Sequence, residues 1–138
     1  MSTLETVQPE LDDIEFENAQ RGFIGTIPDA EILDSKGRPV WTLKDYAFLD
    51  DIEPASTVHP NLWRQARLNM HHGLFKVTER VYQVRGFDVA NVSFIEGDTG
   101  VIVIDPLTVA ETAAAAIALY RKHRGERPVT ALIFCLDG

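Results

Sequence analysis

The chain has 138 residues, 45% of them apolar, with four histidines, one cysteine and a formal charge of −8. That length suits one ordinary domain with a core, while the acidity argues against a nucleic-acid backbone or an anionic membrane as partner, since either repels it over the Debye length. A single cysteine excludes an intramolecular disulfide and a cysteine-rich zinc knuckle.

Residues 1–20 carry six acids (Glu5, Glu10, Asp12, Asp13, Glu15, Glu17) and no lysine or arginine, which reads as a solvated or frayed arm. No basic stretch is followed by a continuous apolar one, and nowhere do eighteen apolar residues run together. Neither a signal peptide nor a membrane span is therefore read; a cytoplasmic location is the default, and a periplasmic one stays open. Residues 1–57 form a leader broken by Gly22, Gly25, Pro28, Gly37, Pro39 and Pro54, which permit only short elements. Inside it, Ala30 to Asp34 and Pro39 to Trp41 predict a hairpin turning through Lys36-Gly37. Trp41, Tyr46, Phe48 and Leu49 give that hairpin something to bury.

From residue 58 the pattern is denser. A short helix is predicted over Leu62 to Asn69, capped by Asn61 and ended by Gly73. Leu74 to Val77, Val81 to Val84 and a hairpin from Asn91 to Asp105 around Gly-Asp-Thr-Gly predict a four-strand antiparallel meander. A helix follows from Val109 to Arg124. Thr108 and Glu111 have the spacing of a capping box, Arg121 to Arg124 place positive charge at the carboxyl end, and Gly125 stops it. Its expected apolar stripe is Val109, Ala113, Ala116, Ile117 and Tyr120. Val129 to Cys135 then forms a strand parallel to Val101–Ile104, completing a β-α-β unit.

The run Val92 to Pro106, VSFIEGDTGVIVIDP, with NLWRQARLNMHHGLFKVTERVYQVRGFDVAN before it and TVAETAAAAIALYRKHRGERPVTALIF after it, resembles the start of an alkylsulfatase of the metallo-β-lactamase superfamily. The resemblance covers about Phe16 to Phe134. It implies an α/β fold, with residues 58–138 an incomplete metallo-β-lactamase domain, the first layer of an αββα sandwich, laid behind the irregular leader. It also implies alkyl sulfate ester hydrolysis at a two-zinc centre. In that family the strand matching Val129 to Phe134 runs into a T-H-x-H-x-D-H motif. Here it runs into Cys135-Leu136-Asp137-Gly138, and Leu136 and Gly138 stand where the first two histidines belong. Neither a leucine side chain nor a glycine hydrogen offers a lone pair to zinc, which takes nitrogen, sulfur or carboxylate oxygen. The expectation is an amino-terminal fragment, inactive alone, with no catalytic residue, no metal ligand and no zinc of its own.

The histidines agree with that. His59, His71, His72 and His123 make no H-x-H or H-x-x-x-H pair, and adjacent His71 and His72 point apart on either a helix or a strand; they read as surface or supporting imidazoles. Asp105 is the leading candidate, at the carboxyl end of a buried strand where open sheets collect ligands. The resemblance makes it an acid that holds the metal-binding loop from behind, against the plainer reading of a cap on the turn before Pro106. Through the resemblance, the loop Arg85 to Asn91 becomes a substrate rim with Phe87 against an alkyl tail and Asn91 as a hydrogen-bond donor; a tight chain reversal asks for the same residues. Arg64 and Arg67, three apart on a helix, are expected to pair with the acidic leader. Two further readings stand beside the hydrolase: a non-catalytic module that associates through an open sheet edge or exposed sheet surface, and the product of a truncated reading frame, which the nucleotide sequence past codon 138 distinguishes.

Overall fold

A computed structural model describes residues 13–135. Of the solvated or frayed arm expected over residues 1–20, residues 1–12 lie outside the described residues, as do the positions Leu136 and Gly138; over residues 13–20 the expectation is corrected, because they are helical and Glu15 pairs with Arg64. Strands β1 (Phe23–Gly25), β2 (Ile32–Leu33), β3 (Pro39–Trp41), β4 (Gly73–Lys76), β5 (Val81–Arg85), β6 (Val92–Glu96), β7 (Val101–Ile104) and β8 (Val129–Ile133) alternate with helices α2 (Pro60–Asn69) and α3 (Ala110–Arg124). Residues 13–20 are also helical and are called α1. The main sheet has the order β1-β4-β5-β6-β7-β8, and β2-β3 stand apart as a hairpin.

The meander β4 to β7 is antiparallel throughout and β8 joins β7 in parallel, which makes β7-α3-β8 the expected β-α-β unit. Strict alternation explains how the sheet takes its core. Tyr82, Val84, Val92, Phe94, Val101 and Val103 are buried and join Ala116, Leu119 and Tyr120 of α3 in one cluster. The leader contributes to the same core: Ala30 is 0% and Ile32 5% exposed, and the β2-β3 hairpin packs against α3. The Phe23–Gly25 strand extends the sheet by pairing with β4, a placement that three residues preceded by one glycine and ending on another do not announce.

Several local expectations are corrected. The hairpin is shorter than expected, and its turn is organised by Asp34, whose Oδ1 accepts the N–H groups of Lys36 and Arg38. Tyr46 and Phe48 stay 47% and 53% exposed, whereas Leu49 is buried. Helix α2 begins at Pro60 with His59 as its cap: the ring Nδ1 accepts the Asn61 N–H at 3.2 Å, so Asn61 donates where it was expected to cap. Proline at the first helical position has no N–H to satisfy, which favours that start. Gly73 does not stop the helix; it opens β4. The face α3 buries is Thr112, Ala116, Leu119 and Tyr120, with Val109 40% exposed. The stripe is rotated because a threonine sits on the buried side, where a carboxylate described below satisfies it.

The opposite face of the sheet carries two cross-strand rows, Val81-Ile95-Ile102-Ala131 and Phe75-Gln83-Ser93-Ile104-Ile133. Apart from Phe75, these side chains are half-buried at most. Along β8 and just past it Val129, Leu132, Ile133 and Phe134 are 42%, 51%, 45% and 62% exposed. Burial is thus concentrated on the side of α3.

Candidate functional site

The antiparallel register brings the carboxyl end of β5, the amino end of β6 and the carboxyl ends of β7 and β8 to one edge. Val84 pairs with Val92, Ser93 with Ile104 and Ile104 with Ile133. The rim loop Arg85 to Asn91, Asp105 and the chain leaving β8 therefore meet at that edge. His72 meets it too, since a Cβ built on Gly86 would fall 2.5 Å from the His72 Cβ.

Asp105 is in the left-handed region, φ 53°. Its N–H donates to the Ile133 carbonyl at 2.9 Å, and its Oδ1 accepts the Cys135 N–H at 2.6 Å. The carboxylate thus grips the backbone immediately after β8. Asn91 lies on the rim of a cleft of about 780 Å³ whose walls include Trp41, Leu43, Leu49, Met70, Arg85 and Val89. Trp41 ties the hairpin to this rim by donating from Nε1 to the Gly86 carbonyl at 2.8 Å. Phe87 is corrected: it is 0% exposed and belongs to the core cluster, so it presents no surface to an alkyl tail. An aromatic flanked by Gly86 and Asp88 turns inward because only burial rewards its area.

The residue sequence reasoning passed over is Asp88. Only 8% exposed, it accepts the Val89 N–H at 2.6 Å, the Thr108 N–H at 2.9 Å, the Thr108 hydroxyl, and the Thr112 hydroxyl at 2.8 Å. Burial pushes its carboxyl up, but these donors outweigh burial and hold it below the usual carboxylate range. They also dissolve the expected capping box: Thr108 turns to Asp88, and Val109 becomes the cap residue of α3 without a side-chain bond. A full negative charge near the helix start attracts both hydroxyl and N–H more strongly than a neutral cap does. The available signal was a pair of threonines four apart, facing an acid in an otherwise apolar stretch.

The adjacent imidazoles His71 and His72 make different contacts. Burial and Arg67 hold His71 below its ordinary range, and its ring meets Phe16 edge-on at 6.2 Å. His72 is also held low, chiefly by burial, and its Nδ1 is 2.6 Å from the Thr26 hydroxyl. The acidic leader pairs with α2 through Arg64 and Glu15, while the Arg67 guanidinium lies 5.2 Å from the Phe16 ring. Among the described residues no three of His, Cys, Asp and Glu stand together as a metal would need. By themselves the described residues therefore do not make up a zinc centre. No helix among them is long and apolar enough to cross a membrane.

Residues 85–134 match the model of the metallo-β-lactamase superfamily. The chain is 48% identical over 126 residues to an alkyl/aryl-sulfatase of Saccharomyces cerevisiae, and equally so to an (R)-specific secondary alkylsulfatase of a Pseudomonas species. It is 43% identical to a linear primary alkylsulfatase, also from Pseudomonas. Each match takes in 91% of this chain but only 19–20% of the relative, so the chain spans about a fifth of the length of those relatives. The solved structure of a stereoselective inverting sec-alkylsulfatase from Pseudomonas superposes with a TM-score of 0.81 at 50% identity, over 86% of this chain and 18% of that one. The sheet and helices described above are thus part of a metallo-β-lactamase fold.

Proposed function

We propose that this chain, a homologue of alkylsulfatases of the metallo-β-lactamase superfamily over about a fifth of their length, belongs to the machinery of zinc-dependent alkyl sulfate ester hydrolysis as its scaffold. The observation that carries the reading is the meeting, on one sheet edge, of Asp105, the chain after β8 and a partly apolar cleft beside Asn91. Metal in such a hydrolase activates water and neutralises charge on the ester. The part assigned to the residues here is different. Asp105 orients the backbone that follows β8, and Asn91 with Trp41, Leu43 and Val89 borders the space for an alkyl group.

On this reading the 138-residue polypeptide by itself is expected to bind no stoichiometric zinc and to hydrolyse no alkyl sulfate, because the side-chain positions of Leu136 and Gly138 offer zinc no donor atom where the family has imidazoles. Metal analysis of purified protein and an assay with dodecyl sulfate check it. One tightly held zinc per chain, or turnover above a buffer control, overturns the scaffold role.

The exposed apolar residues of β8 favour a second reading, association through the sheet surface. Val129, Leu132 and Ile133 on an edge strand and Phe134 just past it lie within six residues, and such patches drive association when they exceed a few hundred Å². Light scattering is expected to show species larger than a monomer, with binding of a hydrophobic dye. A monodisperse monomer that binds no dye rules this out.

A further inference from the structure

We propose that Asp88 is a positioning residue: by gripping Thr108 and Thr112 it holds the left-handed turn at Asp105 to Leu107, and so aims the Asp105 carboxylate at the backbone after β8. Its functional meaning rests on the reading of this edge as the hydrolytic one.

The turn is not one the local sequence prefers. Asp105 has φ 53° and Leu107 φ 72°, on either side of Pro106. A side chain disfavours positive φ, and a residue before proline is driven towards extended backbone. Such conformations persist only where the surroundings over-determine them. Upstream, the turn is fastened to β8: Asp105 donates to Ile133 and accepts from Cys135, while its carbonyl accepts the Leu107 N–H at 2.7 Å. Downstream, the first fixed residue is Thr108, whose N–H and hydroxyl both donate to Asp88. Thr112, one helical turn on, donates to the same carboxylate. Asp88 in turn belongs to the rim loop, so one carboxylate joins the rim, the start of α3 and the turn that carries Asp105. Without that grip Thr108 is released and Leu107 can return to negative φ. The Asp105 carboxylate then swings off the Cys135 N–H.

Amide hydrogen exchange on the 138-residue protein tests this with no metal or substrate present, so the clamp and the sulfatase reading fail or survive separately. In Asp88→Asn, the Asp105 and Cys135 amides are expected to exchange at least tenfold faster after correction for the change at Phe94, a mid-sheet reference. Thr112→Val is expected to speed the same two amides several-fold, and Thr112→Ser, which keeps the hydroxyl, to return them to within twofold of the original. If Asp88→Asn does not fold, the two Thr112 variants decide alone. Exchange at Asp105 and Cys135 that merely follows Phe94 in every variant overturns the proposal and leaves Asp88 a stabiliser of the α3 start.

Discussion

Replacing Glu96 with alanine is expected to lower the stability of the chain by about 3 kcal/mol, the low end of the cost of removing one partner from a buried ion pair. Glu96 is 6% exposed at the end of β6. Its Oε1 accepts the Tyr120 hydroxyl at 2.9 Å and Arg124 Nε at 2.8 Å, and its Oε2 accepts a second Arg124 nitrogen at 2.9 Å. Alanine leaves the hydroxyl of Tyr120, a residue 0% exposed, without its acceptor. It also leaves the Arg124 guanidinium, 4.5 Å from the Tyr82 ring, without its counter-charge. The low end applies because the Arg124 side chain is 32% exposed and water reaches it. Glu96→Gln should cost less, since an amide oxygen still accepts from Tyr120.

The pH dependence has a definite sign. The Arg124 hydrogen bond, helped by Tyr120 and opposed by burial, holds the Glu96 carboxyl below the usual range. A depressed carboxylate stabilises fully above its unfolded value of about 4.3 and loses that contribution as pH falls through its folded value. The gap between original and Glu96→Ala proteins in urea unfolding is therefore expected to be widest near neutrality and to narrow in acid. A gap under 1 kcal/mol at pH 7, or one that widens as pH falls, contradicts this account.

Glu96 also marks where the sequence was legible and where it was read too lightly. The β-rich runs and the turn between them located β5, β6 and β7 to within a residue, and the alternating burial along β6 places Glu96 on the inward face with Val92 and Phe94. A glutamate there demands a partner, and the basic end of α3 holds one. Asp88 was harder to see. Its partners lie 20 and 24 residues away, and only the crossing of α3 over the sheet brings them to it. The α3 stripe was misread for the same reason, because a threonine counts as polar until an acid is known to face it. Asp105 was legible from the strand end and Pro106, but its hold on Cys135 depends on the parallel β7-β8 register, which no local pattern encodes. Phe87 shows the converse error: a loop aromatic suggests a binding surface, while the tertiary fold needed it inside.

The largest effect on activity is expected at Asp105, in a chain where residue 134 is followed by the T-H-x-H-x-D-H motif, its threonine replacing Cys135, and by the remainder of a Pseudomonas secondary alkylsulfatase. On the proposed reading that chimera hydrolyses a secondary alkyl sulfate, with motif histidines at positions 136 and 138. Asp105 already holds the Cys135 N–H at 2.6 Å, next to the first of those positions. Its loss would let the leading residues of the motif drift, and residues that orient metal ligands from behind typically account for about ten- to a hundredfold in metal affinity or activity. Asp105→Ala is therefore expected to lower zinc affinity or turnover within that range. Asp105→Asn, which keeps an oxygen to accept the N–H, should lose less. His72→Ala tests the same geometry from the other side, because its imidazole is engaged by the Thr26 hydroxyl and burial holds it low. Zinc content and turnover should remain close to those of the parent chimera. The reverse pattern, with Asp105 dispensable and His72 required, would mean that the metal is held by the segment after α2, and the assignment of the β7-β8 edge would fall.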